Sequence, residues 1–150
     1  MTHIVVDTLD LKDAHDLAPL IAASVQDRKR GAPRAPDEYY AELVLKDRTA
    51  ELLGARLDGR LVGYAVFFDL PDTMTGMRAG QLEDLFVIQD ARGKSVGKAL
   101  IDALTAEGAR RGWEQIRWMV PEKPATARRF ADHLAVNGGW LTYTVPLARR

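Results

Sequence analysis

The feature that most constrains the fold is a strand-like segment that leads through a loop of small residues into an amphipathic helix. The segment Leu82–Val87 reads Leu-Glu-Asp-Leu-Phe-Val, and the loop Arg92–Gly97 begins five residues after it. Apolar residues then recur at steps of three and four, which predicts a helix over Val96–Arg111 that Gly112 ends. Such a turn aims backbone N–H groups and the positive end of a helix dipole at one point, where a phosphate group fits.

The loop also has to be compared with the nucleotide-binding P-loop, because Gly93, Lys94 and Ser95 match the end of that motif. A P-loop needs a glycine five residues before the glycine of its Gly-Lys pair, and this chain has Ile88 there, inside the expected strand. The sequence therefore excludes a P-loop. The alternative to a phosphate-binding loop is an ordinary glycine-containing turn between strand and helix, which binds no ligand.

The composition indicates one soluble domain, 1–150, with a single core. Because the net charge is zero, nothing indicates a nucleic-acid partner, and a protein that binds nucleic acid usually has a basic face. The chain has no cysteine, which excludes a thiol acyl-enzyme, and its three histidines do not show metal-ligand spacing. Neither a secretory segment nor a membrane span is evident, so a cytoplasmic protein with no metal and no membrane partner is expected.

Hydrophobic patterning predicts the order of strands and helices. The expected strands are Ile4 to Asp7, Glu51 to Leu57, Leu61 to Phe68, Gln81 to Ile88, Gln115 to Val120 and Trp140 to Leu147. Besides Val96–Arg111, the expected helices follow Asp10 and Asp37 and run from Pro124 or Thr126 to Leu134. The expected loops are Arg28 to Pro36 and Asp69 to Gly80. The order mixes hairpins with crossovers and predicts an α/β (α+β) domain with a mixed sheet.

These features together resemble the GCN5-related N-acetyltransferases. The acyl-CoA-binding motif of that family reads Arg/Gln-x-x-Gly-x-Gly/Ala just after a strand. Arg92, Val96 and Gly97 fit it, and Ser95 stands at its first glycine. The order of elements is also that of the family, so the resemblance covers nearly the whole chain. It implies a single domain with a mixed central sheet of about six to seven strands, two of them splayed apart, flanked by four helices.

The resemblance implies acetyl-CoA as the acetyl donor. Its pantetheine arm would bond to backbone groups of Leu85, Phe86 and Val87. Its pyrophosphate would lie over Arg92, Gly93, Lys94, Ser95, Val96, Gly97 and Lys98. Glycine lets the backbone approach closely, and the basic side chains add positive charge.

Acetyl transfer also needs a neutral amine, and a primary amine with a pKa of about 10 costs about 4 kcal/mol to neutralise at pH 7. Glu83 and Asp84 are the candidate bases. Because neighbours on a strand point to opposite faces, one of them is expected to face the site. The Leu-Glu-Asp run resembles that of the polyamine-acetylating branch, where the glutamate is the base, so Glu83 is the first choice. Asp84 is expected to contact the substrate or to hold a neighbouring loop.

The group that protonates the leaving thiolate is less evident. Family members commonly carry an Asn-x-x-Ala-x-x-Phe-Tyr run after the fifth strand, whose tyrosine protonates the sulfur, but here Pro124 replaces the asparagine and Ala131 the tyrosine. A thiol pKa of about 8.5 makes the thiolate a tolerable leaving group, so this loss should slow the reaction without forbidding it. Tyr143 is the candidate substitute, although a sheet aromatic is its plainer interpretation. Alternatives are Tyr39, Tyr40 and His133.

The acceptor is expected to lie against the segments Arg28 to Tyr40 and Asp69 to Gly80, over the splayed strands. Asp37, Tyr39 and Tyr40 are the candidate contacts there, and a helix cap and core packing are the alternative roles of these residues.

The predicted function is a cytoplasmic, acetyl-CoA-dependent N-acetyltransferase that modifies the primary amine of a small molecule, polyamine-like or amino-acid-like, by direct transfer in a ternary complex. Two alternatives are an acyl-CoA-binding sensor weakened in catalysis, which Pro124 and Ala131 favour, and a structural domain that binds no CoA. A homodimer is also compatible with the sequence, with Trp140 to Leu147 as its pairing strand.

Overall fold

The computed structural model describes residues 3–29 and 37–148, which form two compact units divided after Trp118. Most of the predicted loop Arg28 to Pro36 lies outside the described residues. The strands of the first unit are β1 (Ile4–Thr8), β2 (Glu51–Leu57), β3 (Arg60–Asp72), β4 (Met77–Val87) and β5 (Trp113–Trp118). Its helices are α1 (Ala14–Lys29), α2 (Glu38–Lys46) and α3 (Val96–Arg111), with 3-10 turns at Leu11–Asp13 and Gln89–Ala91. The second unit contains α4 (Ala125–Leu134).

The strands form one mixed sheet in the order β1-β2-β3-β4-β5. The first four strands pair antiparallel with their neighbours, and β5 joins β4 in parallel after the α3 crossover. The mixed sheet and the four α-helices confirm the predicted fold class. Among the described residues the sheet has five strands, so the prediction of six to seven is wrong. Among the described residues, the segment Trp140 to Leu147 has no regular secondary structure, so the strand predicted there is not observed.

The connection between β3 and β4 is a long hairpin, whereas the sequence predicts a loop over Asp69 to Gly80. β3 continues to Asp72 and pairs there with Met77, at the start of β4. Pro71 fits within β3 because β2 accompanies β3 only as far as Phe67, and no other strand of the described residues pairs with this end of β3 on that side.

The ring of Trp113 fixes α3 on one face of the sheet. A Cβ on Gly80 of β4 or on Gly108 of α3 would collide with this ring, so both backbones approach it closely. Phe67 meets the ring edge-on, with the ring centroids 5.8 Å apart. The fully buried side chains of α3 are Val96, Leu100 and Leu104.

A second apolar cluster packs α1 and α2 against the other face. Its buried members include Leu17 of α1, Ala41 of α2, and Tyr64 and Phe86 of β3 and β4. Tyr64 lies three residues from Phe67 on β3, so the two side chains are on opposite faces. Full burial of one such large apolar side chain contributes about 1.5–3 kcal/mol. The residues of β4 that follow Glu83 are therefore tied to α1 and α2 through the core.

Several local predictions are confirmed. Asp37 caps α2, since its Oδ1 accepts a hydrogen bond from the backbone N–H of Tyr40 at 3.0 Å. Asp58 and Gly59 turn β2 into β3, with φ angles of 50° and 88°. α3 spans Val96–Arg111, as the periodicity predicts.

Candidate active site

A β-bulge lies at Glu83, in the strand predicted to bear the catalytic base. Leu82 is the partner of Phe67 and Asp84 the partner of Val66, so Glu83 is an extra residue on β4 with no counterpart on β3. Because Val66 and Phe67 are neighbours on β3, the bulge places Leu82 and Asp84 on opposite faces of the sheet. Strict alternation therefore does not separate Glu83 from Asp84, contrary to the sequence-based prediction.

The side chain of Glu83 is exposed and makes no hydrogen bond or ion pair with any residue of the ranges 3–29 and 37–148. Bulges often re-aim a side chain beside an active site. A carboxylate in this setting can accept a proton from an amine or from a water molecule between them.

Asp84 has a different environment from Glu83. Its Oδ2 accepts a hydrogen bond from the hydroxyl of Tyr64 at 3.0 Å, and the tyrosine is only 2% exposed. The ring of Tyr64 lies against that of Phe86, with centroids 6.0 Å apart. Asp84 is thus held on the face that α1 and α2 cover. Tyr64 is not among the site residues predicted from the sequence, although a tyrosine in an apolar strand is expected to be buried, with a partner for its hydroxyl.

The strands β4 and β5 are hydrogen-bonded over only part of their length. The paired residues of β4 run from Arg78 to Leu82, and Leu82 is opposite Trp118, the last residue of β5. Residues 84–87 of β4 pair with β3 on one side and with no described strand on the other. The N–H of Ile88 donates to the backbone oxygen of Val62 on β3, so by alternation the backbone groups of Phe86 also face β3, whereas those of Leu85 and Val87 face the open side. The groups of Leu85 and Val87 can therefore bond to an extended amide-bearing ligand, and the prediction of such bonds from Phe86 is wrong. This is the kind of separation between two strands that the family resemblance implies.

Arg92 reaches from the loop between β4 and α3 back to the end of β4, although its side chain stays 45% exposed. Its Nε donates to the backbone oxygen of Val87 at 3.0 Å, and a terminal nitrogen lies 3.5 Å from a carboxylate oxygen of Asp27 in α1. The guanidinium also lies over the ring of Phe86, 5.7 Å from its centroid. Arg92 thus holds the loop against the end of β4 and against α1. The backbone oxygen of Val87 already accepts one hydrogen bond in this arrangement.

The loop enters α3 through two residues in the left-handed region. Gly93 has a φ of 78°, and Ser95, the residue before the helix, has φ 66° and ψ 21°. A non-glycine residue in this region costs about 1–2 kcal/mol. The hydroxyl of Ser95 makes no capping bond, so no side chain of the described residues caps the start of α3. Uncapped N–H groups at a helix start form an anion-binding site.

Two lysines predicted to contact the pyrophosphate differ in their surroundings. Lys94 is exposed in the loop. The ammonium of Lys98 lies 2.7 Å from the carboxylate of Asp102, one turn further along α3. An exposed pair at this spacing contributes about 0.3–0.5 kcal/mol, so an anionic ligand can readily compete for Lys98.

The C-terminal end of α3 is fixed by Arg111. Its two terminal nitrogens each lie 2.7 Å from an oxygen of Glu51 in β2, and further bonds reach Asp69 at 3.3 Å and Glu107 at 2.8 Å. The pKa of Arg111 is raised, chiefly by the hydrogen bonds to Glu51. Hydrogen bonds from Arg110 and then Arg111 lower the pKa of Glu107 to about 2. α3 is therefore anchored at the end opposite its open N-terminus.

The residues predicted to contact the acceptor lie at the start of α2. Tyr39 is 70% exposed and Tyr40 is 42% exposed, whereas Ala41 is fully buried. Core packing is therefore not the role of these tyrosines. Asp37 has the capping role that the sequence indicates.

The candidate group for protonating the thiolate belongs to the second unit. Pro124 precedes α4, and Ala131 is a half-buried residue of that helix. Tyr143 lies in the segment after α4 that has no regular secondary structure, and its side chain is 87% exposed. Tyr143 is therefore not in a strand of the described residues, and its role as the proton donor stays a prediction.

Among residues 3–29 and 37–148, no group of three histidine, cysteine or acidic side chains is placed to hold a metal ion. No helix in the same part of the chain is long and apolar enough to cross a membrane.

Comparison of the chain with a family profile and with solved structures finds acetyltransferases in both cases. The sequence profile of the acetyltransferase (GNAT) family matches residues 18–134. A crystal structure described as a ribosomal-protein-alanine N-acetyltransferase from Brucella melitensis biovar Abortus 2308 is 42% identical, with a TM-score of 0.87, and the match covers 97% of this chain and 99% of that one. No curated protein matches the sequence.

Two more distant structures share the fold. An aminoglycoside acetyltransferase from an uncultured soil metagenomic sample, in complex with sisomicin, is 19% identical with a TM-score of 0.79, and 97% of each chain is covered. A transcriptional regulator from Bacillus halodurans C-125 is 21% identical with a TM-score of 0.81, and the match covers 97% of this chain and 100% of that one.

Proposed function

Because the chain belongs to the acetyltransferase (GNAT) family, we propose that it transfers the acetyl group of acetyl-CoA to the primary amine of a small molecule, directly and in a ternary complex. The enzymes of this family are N-acetyltransferases that use acetyl-CoA, and this chain is an N-acetyltransferase. The observation that carries the proposal is that β4 and the loop after it combine an unpaired carboxylate, Glu83, with an uncapped helix start at Val96. A cytoplasmic location is part of the same proposal.

The loop and the open side of β4 are proposed to hold acetyl-CoA, which supplies the activated acetyl group. The N–H groups of Val96, Gly97 and Lys98 would receive the pyrophosphate, with Gly93, Lys94 and Ser95 beside it. Backbone groups of Leu85 and Val87 would bond to the pantetheine arm, with Phe86 between them directing its own groups to β3. Arg92 would act mainly by holding the loop against β4, since its guanidinium is already engaged with Val87 and Asp27.

Glu83 is proposed as the general base. Its exposure and its lack of a protein partner leave the carboxylate able to take the proton of the incoming ammonium, directly or through water. A positioned base accounts for about 10²–10⁴-fold in rate. Asp84, bonded to Tyr64, is proposed to attract the cationic acceptor without taking its proton.

Tyr143 is proposed to protonate the leaving thiolate, because α4 carries Ala131 where a tyrosine would otherwise supply the proton. Water is the alternative donor. A thiol with a pKa of about 8.5 is only about 2 kcal/mol from its ionised form at pH 7. Replacement of Tyr143 by phenylalanine should therefore reduce turnover without abolishing it.

For the acceptor, we propose a small polyamine-like or amino-acid-like amine. Carboxylates at Glu83 and Asp84, with the exposed Tyr39 and Tyr40 of α2 and the acidic Asp37 just before that helix, suit a cation with an apolar stem. A second candidate is the alanine amine of a ribosomal protein, which the description of the 42% identical Brucella structure favours.

The experiment that tests these proposals is a CoA-release assay with acetyl-CoA and a panel of diamines, triamines, amino acids and alanine-terminated peptides. The amine with the highest kcat/KM identifies the acceptor class. Glu83→Gln should lower kcat/KM by about 10²–10⁴-fold on that amine. The matched control is Glu114→Gln, because Glu114 is an exposed carboxylate on β5. Equal activity of Glu83→Gln and the wild type between pH 6 and 9 would exclude Glu83 as the base.

An acyl-CoA sensor is the alternative that Pro124 and Ala131 favour. It predicts tight binding of acetyl-CoA by calorimetry, together with no CoA release on any amine of the panel. A domain that binds no CoA predicts no rise in Tm on adding acetyl-CoA, since a ligand stabilises only a protein that binds it.

A further inference from the structure

The gap between β4 and β5 has an open end and a closed end. Leu82 and Trp118 are the last residues that pair the two strands, and beyond them residues 84–87 of β4 pair with no described strand on this side. The loop that leads to α3 leaves β4 after Val87, at the open end of the gap. An extended ligand whose anionic end lies at α3 therefore directs its other end towards Leu82 and Trp118.

The inference drawn from this gap rests on the proposed binding of acetyl-CoA. The pyrophosphate is the anionic part of that ligand, and the thioester lies at the far end of the pantetheine arm. If Leu85 and Val87 bond to the arm, the thioester follows on the side of Leu85 that faces the closed end. At most about 10 Å of strand separates Leu85 from Leu82. The acyl group is thus the part of the ligand nearest to Leu82 and Trp118.

The two side chains at the closed end are large and lie on the face of the sheet that α3 covers. Leu82 is opposite Phe67, whose ring meets that of Trp113 on this face, and Leu82 is only 2% exposed. Residues opposite each other in paired strands point to the same face, so Trp118 lies beside Leu82. Leu82 belongs to the packed core, whereas Trp118 is half-buried. Trp118 is therefore the side chain at the closed end that a ligand can contact.

The other face of the sheet is polar at the same point. Gln81 and Arg117, the pair before Leu82 and Trp118, are joined by a hydrogen bond of 3.2 Å from Nε of the arginine to Oε1 of the glutamine. Methylene groups placed against this pair would remove water from polar groups without gaining apolar contacts. A longer acyl chain therefore gains nothing on this face, and on the α3 face it meets the indole.

We propose that Trp118 determines the size of the acyl group that the protein accepts and restricts it to acetyl. In this role the indole leaves room for a methyl group, and a longer chain has to displace side chains that are packed against α3. In a closed apolar pocket, one methylene group more or less changes selectivity by about 10–200-fold. Trp118 is thus a specificity-determining residue and takes no part in proton transfer.

The first test measures binding without turnover. Calorimetric titration of the full chain should give a Kd for butyryl-CoA at least about tenfold above that for acetyl-CoA. Trp118→Ala should reduce this ratio at least about fivefold, because it opens the closed end. Trp118→Leu, a smaller change that keeps an apolar side chain in the sheet, should reduce the ratio in the same direction. Trp118→Phe keeps a ring at this point and should retain most of the discrimination.

Ile116→Ala is the matched control. Ile116 is half-buried on the same strand and the same face as Trp118, but it is opposite Gly80, before the gap begins. Its replacement should leave the ratio of the two Kd values unchanged, although it removes a similar kind of apolar contact.

The second test compares kcat/KM for acetyl-CoA, propionyl-CoA and butyryl-CoA with one amine acceptor, and the preference for acetyl-CoA should decline in Trp118→Ala and Trp118→Leu. Equal binding of acetyl-CoA and butyryl-CoA by the wild type would overturn the role of Trp118 and leave the proposed acetyl transfer intact. The same conclusion follows if both variants keep the wild-type ratio. Failure of the wild type to bind either acyl-CoA would overturn both proposals.

Discussion

Arg92 donates from Nε to the backbone oxygen of Val87 across 3.0 Å, which ties the loop before α3 to the last residue of β4. The same guanidinium reaches Asp27 of α1 and lies over the ring of Phe86. One side chain therefore links the loop proposed to bind pyrophosphate with the strand proposed to bind pantetheine. The relative position of these two parts depends on it.

Arg92→Gln should weaken acetyl-CoA binding by raising its Kd up to about tenfold, because a bond worth about 0.5–1.5 kcal/mol and a positive charge are lost. Calorimetric titration with acetyl-CoA measures this effect. Lys46→Ala is the control, since the exposed pair of Lys46 with Glu42 lies on α2 and its loss should leave the Kd unchanged. Equal Kd values for Arg92→Gln and the wild type would contradict the proposed role of Arg92.

Ser95→Gly should raise the free energy of unfolding by up to about 1 kcal/mol, because glycine adopts a φ of 66° without the steric penalty that serine has there. Ser95→Val should lower it, since a β-branched residue fits this region worst. Urea denaturation measures both changes. The variant Ser95→Ala keeps the backbone penalty and removes the hydroxyl, so a change in its Kd for acetyl-CoA would report a contact of the hydroxyl with the phosphate.

Tyr64→Phe should destabilise the protein by about 1–2 kcal/mol, because it removes the donor to the half-buried carboxylate of Asp84. A double-mutant cycle with Asp84→Asn isolates the coupling between the two side chains. We expect a coupling of at least about 0.5 kcal/mol in chemical denaturation. Strictly additive effects would show that the hydrogen bond contributes nothing to stability.

Arg111→Met should lower the free energy of unfolding by about 1.5–3 kcal/mol, since it removes the charged hydrogen bonds to the partly exposed Glu51, while Asp69 keeps its ion pair with Arg78. Arg110→Met is the matched control: the neighbouring arginine is 71% exposed and pairs only with Glu107 among the described residues. If both variants lose the same stability, the bonds of Arg111 to β2 and β3 are not what anchors α3.

The pH dependence of stability should reflect Glu107. Its pKa is lowered from 4.5 to about 2 in the folded protein, so its ion pairs stabilise the fold fully above pH 4.5 and are lost as the pH falls towards 2. The Tm of Glu107→Gln should therefore lie below that of the wild type at pH 6, and the difference should shrink as the pH is lowered to 3. A constant difference over this interval would contradict the assignment.

The sequence predicts well wherever a local signal determines the structure. The periodicity of α3, the cap at Asp37 and the turn at Asp58 and Gly59 each depend on neighbouring residues, and each is confirmed. Gly80 is wrongly predicted as a loop residue, because a glycine in a sequence usually indicates a loop. In the structure it lies in β4 and makes room for the ring of Trp113, 33 residues later in the chain.

The candidate site is predictable only in part for the same reason. The Leu-Glu-Asp run locates Glu83 and Asp84, but the bulge that separates their environments depends on the register with β3, which the sequence of β4 does not contain. The left-handed backbone conformation of Ser95 is also not predictable from the sequence, because it depends on the path that the loop takes between β4 and α3. The pattern of Trp140 to Leu147 indicates a strand, but a pattern cannot supply the neighbour that a strand needs.

The bulge also determines which genetic changes β4 can tolerate. Leu82 and Asp84 already lie on opposite faces of the sheet, opposite the adjacent residues Phe67 and Val66 of β3. Deletion of the codon for Glu83 would make Leu82 and Asp84 adjacent, and strict alternation would then keep both side chains on the faces they occupy now. The packing of the two faces therefore does not require residue 83, and its deletion would remove the bulge together with the exposed carboxylate that it carries.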